Sequence, residues 1–240
     1  EGNKKLGKRD GAKSVSEYRA DGILPEAMLN FLAQLGWNDG TEQEIFTKEE
    51  LIEKFSLDRV QKSGARFDEQ RLLWLNGQWI RRISLDDLFE RVQDFWGKNA
   101  QNASKEYKKE VLNLVFDRLK TLKDLPLASE YFFMEQKSDL EMISKNKQLK
   151  KLEKSQILEL LSLVITKFET LENWSDNEIQ NTLNQLLEET CQKPGILFQI
   201  IRISLTWAPF SPALNQTLCA IGKNESLKRL KNSVSEIEKM

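Results

Sequence analysis

The residues with the clearest capacity for chemistry stand at the start of the chain, in "EGNKKLGKRDGAKSV". These fifteen residues carry five lysines or arginines and three glycines, with hardly an apolar residue before Val15. Lys5, Lys8 and Arg9 lie within five positions, and glycines allow backbone N–H groups to approach an anion closely. Such a composition suits a loop that wraps phosphates. It suits a solvated arm as well, and composition alone does not separate the two. What is missing narrows the chemistry further. The 240 residues contain no histidine. That removes Ser–His and Cys–His mechanisms, the usual general base at neutral pH and the commonest zinc ligand. Any reaction here runs on lysines, arginines and carboxylates; otherwise the chain binds something.

The elements that must position these groups read almost entirely as amphipathic helices. "LPEAMLNFLAQLGW" has Pro25 at a first helical position, an apolar face of Met28, Leu29, Phe31, Leu32 and Leu35, and Gly36 as a stop. "TKEELIEKF" opens on the capping box Thr47-x-x-Glu50, and "FDEQRLLWL" predicts another short helix. Trp74 and Trp79, in "LLWLNGQWI", are expected in the hydrophobic seam of the N-terminal unit. "SLDDLFERVQDFW" repeats the pattern, and a long helix is expected over residues 105–122. "KSQILELLSLVITKFETL" is apolar enough to be a central, buried helix. "WSDNEIQNTLNQLLEE" starts at Ser175-x-x-Glu178, and a last helix follows Asn224. "IIRISLTWAPFSPAL", rich in β-branched residues and interrupted by prolines, is expected to be extended and then a loop. The fold class is all-α. Residues 1–82 and 83–240 form the expected domains, with an internal split of the second near residue 134.

The balance of 36 basic against 37 acidic residues gives a net charge of −1. A polyanion must therefore meet a local basic cluster, because no global positive field exists. Cys191 and Cys219 are too few for a disulfide framework or a zinc site and suit a reducing compartment. No apolar run approaches the ~18 residues of a membrane span, so no membrane partner is expected. The lysine-rich "SKNKQLKKLEKS" reads as a solvated helix face or a phosphate track.

Three blocks, in order, carry a family resemblance. "KKLGKRDGAKSV" resembles the K-L-S-K-R-x-G-A-x-S-V signature loop of bacterial-type glutamyl-tRNA synthetases, which are class I aminoacyl-tRNA synthetases. "YRADGILPEAMLNFLAQLGW…FSLDRVQKSGARFDEQRLLWLNGQWI" resembles their stem-contact region. "RLKTLKDL", "GILFQIIRISLT" and "SPALNQTLCAIGKNESLKRL" resemble their helical anticodon-binding domain. The resemblance implies a glutamate–tRNA ligase that works through an ATP-derived glutamyl-adenylate, with ATP and magnesium as cofactors and glutamate tRNA as partner. By position it implies that Lys8 is catalytic, steadying the triphosphate, and that Lys5, Lys8 and Arg9 bind ATP. Gly7 replaces the family's serine, which removes a hydroxyl and adds backbone freedom.

At the anticodon end the resemblance implies that Arg118 judges the last base, with Arg202, Ser211, Pro212 and Leu214 shaping the remainder of the pocket. Trp207 replaces a glycine and would stack on a base or plug the core. Lys62, Arg66 and Arg71 would touch the tRNA or simply charge a helix surface. The family's nucleotide-binding fold has no counterpart among these residues, so the chain is expected to be the C-terminal half of a monomeric cytoplasmic or organellar enzyme. It would then be inactive without an upstream catalytic half. The alternative is a standalone helical module that binds tRNA or protein without ligating anything. A class I lysyl enzyme, which shares the helical cage, is a more distant one.

Overall fold

The computed structural model describes residues 13–61, 66–208 and 210–239. Among them the fold is all-α, and the sole β feature is an isolated bridge between Trp37 and Val60. No helix among the described residues is long and apolar enough to cross a membrane. The chain gathers into two compact units. The first takes the described residues up to Trp96 together with Phe116–Leu127; the second takes Gly97–Val115 and the chain from Ala128 onward.

In the first unit, helices α1 (Val15–Ala20), α2 (Pro25–Gln34), α3 (Lys48–Lys54), α4 (Glu69–Ile80) and α5 (Leu85–Arg91) follow from local signals. α1 and α3 each begin on a complete capping box, Ser14 with Glu17 and Thr47 with Glu50. In the second box the Thr47 N–H donates to Glu50 Oε2 at 2.7 Å, and the Glu50 N–H returns to Thr47 Oγ1 at 3.1 Å. Pro25 occupies the first turn of α2, and Asp68 caps α4. α2 packs on α4 and α3.

Two apolar assignments change in this unit. Ala27, Asn30 and Phe31 form the buried face of α2, while Leu29 and Leu32 are exposed, because 100° per residue carries them away from the stripe through 27 and 31. Trp74 is likewise exposed, whereas Trp79 is buried in α4 with Leu72, Leu75 and Ile80. That continuing stripe extends α4 beyond the short helix expected.

The second unit contains α6 (Lys105–Val115), most of α7 (Leu125–Phe133), α8 (Glu141–Ser144), α9 (Lys154–Thr170), α10 (Asp176–Thr190), α11 (Pro194–Thr206), α12 (Leu214–Ile221) and α13 (Lys223–Glu238). Its core joins Ile157, Leu161, Val164 and Phe168 of α9 to Ile200, Ile201, Leu218, Leu230 and Ile237. α13 packs on α9 and α11, and α10 packs on α12, so α9 is the central buried helix that its composition predicts.

Two further expectations are corrected. "IIRISLT" is helical, not extended. Ile200, Ile201, Ile203 and Leu205 are all buried in α11, and burial of such side chains, about 1.5–3 kcal/mol each, outweighs a helix-propensity deficit of a few tenths. The helix expected over 105–122 ends at Val115, and short 3-10 turns at Phe116–Arg118 and Leu122–Asp124 follow. Asp124 Oδ2 accepts from the N–H groups of Lys120 at 3.0 Å and Thr121 at 2.9 Å, so these donors serve a side chain instead of a continuing helix.

Candidate nucleic-acid interface

The 116–124 segment carries Arg118, and its conformation is set by residues distant in sequence. Asn76, fully buried on α4, uses all of its amide. Its Oδ1 accepts from the Leu24 N–H at 2.7 Å, and its Nδ2 donates to Gly22 O at 3.2 Å and Lys120 O at 2.7 Å. The Leu122 N–H donates to Gly22 O at 3.1 Å. Gly22 must be glycine: its φ is +81°, and a Cβ there would stand 2.5 Å from Leu122 N. Arg81 Nη1 donates to Asp117 O at 2.8 Å. Ion pairs add to the same stitching, with Asp21 meeting Lys13 at 3.0 Å and Lys123 at 2.8 Å. The two ammonium donors, Lys123 first, hold the Asp21 carboxyl below the usual carboxylate range, so both pairs persist at neutral pH.

Arg118 itself is exposed. Its side chain keeps 41% of its accessible surface, and its Nε lies 4.0 Å from Asp117 Oδ1. A pair that loose and wet holds the guanidinium weakly. The fork therefore remains open to a ligand on a backbone that is itself rigidly fixed.

In the second unit, Arg202 of α11 turns back on the loop before α12. Its Nη1 donates to Ser211 O at 2.8 Å, to Pro212 O at 2.6 Å and to Ser211 Oγ. Thr217 Oγ1 donates to Ala213 O at 2.9 Å, and Leu214, buried, begins α12. Arg202, Ser211, Pro212 and Leu214 are thus brought together as a braced loop in which Ser211 and Pro212 are buried and the Phe210 ring is exposed. Replacing Arg202 with alanine leaves the Ser211 and Pro212 carbonyls without this donor. We expect the second unit to lose about 1–2 kcal/mol of stability in urea unfolding. An unchanged midpoint would show that the brace carries no weight.

Trp207 ends α11 in the left-handed region, φ 43°, and is buried. It fills the core and offers no open stacking face. Arg66 and Arg71 are exposed, and Arg71 is already paired with Glu44 at 3.1 Å. Lys5, Lys8, Arg9 and Lys62 lie outside the described residues. Among the described residues no cluster of carboxylates or thiols could hold a metal ion.

Sequence reasoning passed over the two buried asparagines. Asn30 matches Asn76 in kind: its Oδ1 accepts from the Phe46 N–H at 3.1 Å and from Trp79 Nε1 at 3.3 Å, and its Nδ2 reaches Glu44 O at 3.2 Å. The available signal was a polar residue lying in an apolar helical stripe, Asn30 beside Ala27 and Phe31, Asn76 beside Leu72 and Ile80.

Residues 87–234 match the family model for the anticodon binding domain. Residues 1–74 match that for tRNA synthetases class I (E and Q), catalytic domain. The chain is similar in structure to a glutamate tRNA ligase from Elizabethkingia meningosepticum, with 25% identity and a TM-score of 0.81 over 99% of this chain. It is equally similar to the glutamate-tRNA synthetase of Elizabethkingia anophelis, at 26% identity and 0.81 over 98%. The chain belongs to the bacterial-type glutamyl-tRNA synthetase family. It spans 49% of the length of each of these relatives.

Membership in the glutamyl-tRNA synthetase family supports a role in tRNA recognition. It also corrects one expectation. The chain was expected to lack the catalytic fold and to be inactive for that reason, yet its first 74 residues match the catalytic-domain model. That expectation rested on the missing strand–helix alternation. The domain as the family defines it extends over this stretch, whose described part is helical.

Proposed function

We propose that this chain reads glutamate tRNA within a glutamate–tRNA ligase and contributes the lysine loop that meets ATP. Family membership supports the reaction class, and the observation that carries the reading is Arg118: an open guanidinium on a braced turn. A planar fork on a fixed backbone can match one base edge bidentately and reject another. In the second unit, the loop held by Arg202 places the exposed ring of Phe210 where an unstacked base could lie on it, with buried Ser211, Pro212 and Leu214 setting the loop's shape. Lys5, Lys8 and Arg9 supply cations that match the phosphates of magnesium-bound ATP, with Lys8 following the charge that develops during activation of glutamate.

The test is Arg118→Gln. A phosphate contact would weaken all tRNAs alike and lower the salt dependence of binding, whereas a base-edge contact discriminates. We expect the preference for glutamate tRNA over glutamine tRNA to narrow by about 1–3 kcal/mol at fixed salt. Equal losses on both tRNAs would assign Arg118 to the backbone, and no loss on either would make it a surface residue.

A further inference from the structure

Helix α4 and Arg81, the residue that caps its C-terminus, each donate to the Arg118 turn. Asn76 Nδ2 donates to Lys120 O at 2.7 Å, and Arg81 Nη1 donates to Asp117 O at 2.8 Å. The two carbonyls bracket Arg118 and Leu119, and Leu119 is fully buried. Between the donors stands Gly77, where a Cβ would lie 3.4 Å from Leu119 O and 3.3 Å from Arg81 Nη2. The helix thus runs beside the turn at van der Waals distance. The Asp124 carboxylate ties down the N–H groups of Lys120 and Thr121 from the other end. Arg118 is therefore left with side-chain freedom on a backbone whose carbonyls and amides are engaged on both flanks.

We propose that Arg81 is a positioning residue for tRNA discrimination, holding the 117–120 turn through the Asp117 carbonyl so that the Arg118 fork meets the anticodon base in one orientation. This rests on the reading of Arg118 given above. The physical reason is geometric. A bidentate contact needs two N–H groups placed together, and a turn free to rock at one end presents the same charge without the same direction. Arg81 is exposed, so its removal deletes a hydrogen bond without opening the core. Asn76, by contrast, is buried, and its loss would confuse positioning with folding.

The experiment uses the whole 240-residue chain and transcripts of glutamate and glutamine tRNA at one fixed salt concentration. Binding is compared for the unsubstituted chain, Arg81→Ala, Arg81→Lys, Arg118→Gln and the Arg81→Ala/Arg118→Gln double variant. If Arg81 acts through Arg118, Arg81→Ala narrows the ratio of affinities by about 3- to 10-fold with an unchanged thermal midpoint. The double variant then goes no further than Arg118→Gln alone, because the two residues share one interaction. Arg81→Lys, which can still donate to Asp117 O, recovers part of the ratio.

A ratio that survives Arg81→Ala but not Arg118→Gln overturns the positioning role and leaves the reading of Arg118 intact. Equal weakening on both tRNAs makes Arg81 a phosphate contact and overturns the positioning role as well. A ratio insensitive to Arg118→Gln, or a chain that does not discriminate at all, overturns both.

Discussion

Replacing Asn76 with leucine is expected to lower the stability of the first unit by about 3–5 kcal/mol, the largest effect of any single substitution considered. Leucine keeps the branched shape of asparagine and leaves no cavity, but it is bulkier, so some overpacking adds to the loss of the polar interactions. Three backbone groups lose their partner at once: the Leu24 N–H, the Gly22 carbonyl and the Lys120 carbonyl. A buried polar group left unpaired costs about 1–3 kcal/mol, although Gly22 O keeps its bond from the Leu122 N–H and is spared most of that. Whole domains are stable by only about 5–15 kcal/mol, so the first unit would approach its threshold. Urea unfolding, with hydrogen exchange at the Leu24 amide as the local readout, measures the change. A loss below ~1 kcal/mol would mean that water or a shifted backbone replaces the amide, and that Asn76 is not the hub described.

Replacing Lys8 with alanine is expected to slow glutamate-dependent ATP–pyrophosphate exchange by ~10²-fold or more in the ligase proposed to contain this chain. As the glutamate carboxylate displaces pyrophosphate from the α-phosphorus of ATP, charge builds on the leaving pyrophosphate, and a cation aimed at that charge acts mostly in the transition state. The kinetic signature follows. The maximal rate falls more than the apparent affinity for ATP, since Lys5 and Arg9 still attract the ground-state triphosphate. Arginine at position 8 keeps the charge but changes its shape, so it should restore part of the rate. Binding to the anticodon arm should hardly change. Normal exchange in Lys8→Ala would reduce the opening segment to a solvated arm.

The helical character of the molecule was legible because it depends on short-range signals. Ser14, Thr47 and Pro25 sit where caps and first turns require them, and α9 announces its burial by composition. What misled was local preference in conflict with tertiary context. The isoleucines of α11 favour strands when read alone, and their burial in the second unit reverses that preference. The end of α6 at Val115 leaves a local trace only in Thr121 and Asp124, because the other side chains that hold the turn beyond it, Asn76 and Arg81, lie some forty positions earlier. The candidate site divides along the same line. Arg118 and Arg202 were visible through the family pattern, but the partners that make one open and the other a brace were not. Nothing in the residue types foretells that Arg202 spends its guanidinium on the carbonyls of Ser211 and Pro212.

Because the first unit takes Phe116–Leu127 after a stretch that belongs to the second, it is discontinuous along the chain, and this bears on its birth at the ribosome. Asn76 and Lys120 are 44 positions apart. At about 5–20 residues per second, roughly 2–9 s separate the synthesis of the amide from that of its carbonyl partner. During that interval the Asn76 amide, in the middle of the apolar stripe of α4, can reach the Leu24 N–H and the Gly22 carbonyl but not the Lys120 carbonyl. The nascent first unit thus stays incomplete until part of the second has been made. Slowing translation across residues 77–120 should lengthen the exposure of that half-built core to proteases and chaperones, whereas a pause placed after Leu127 has left the ribosome should not.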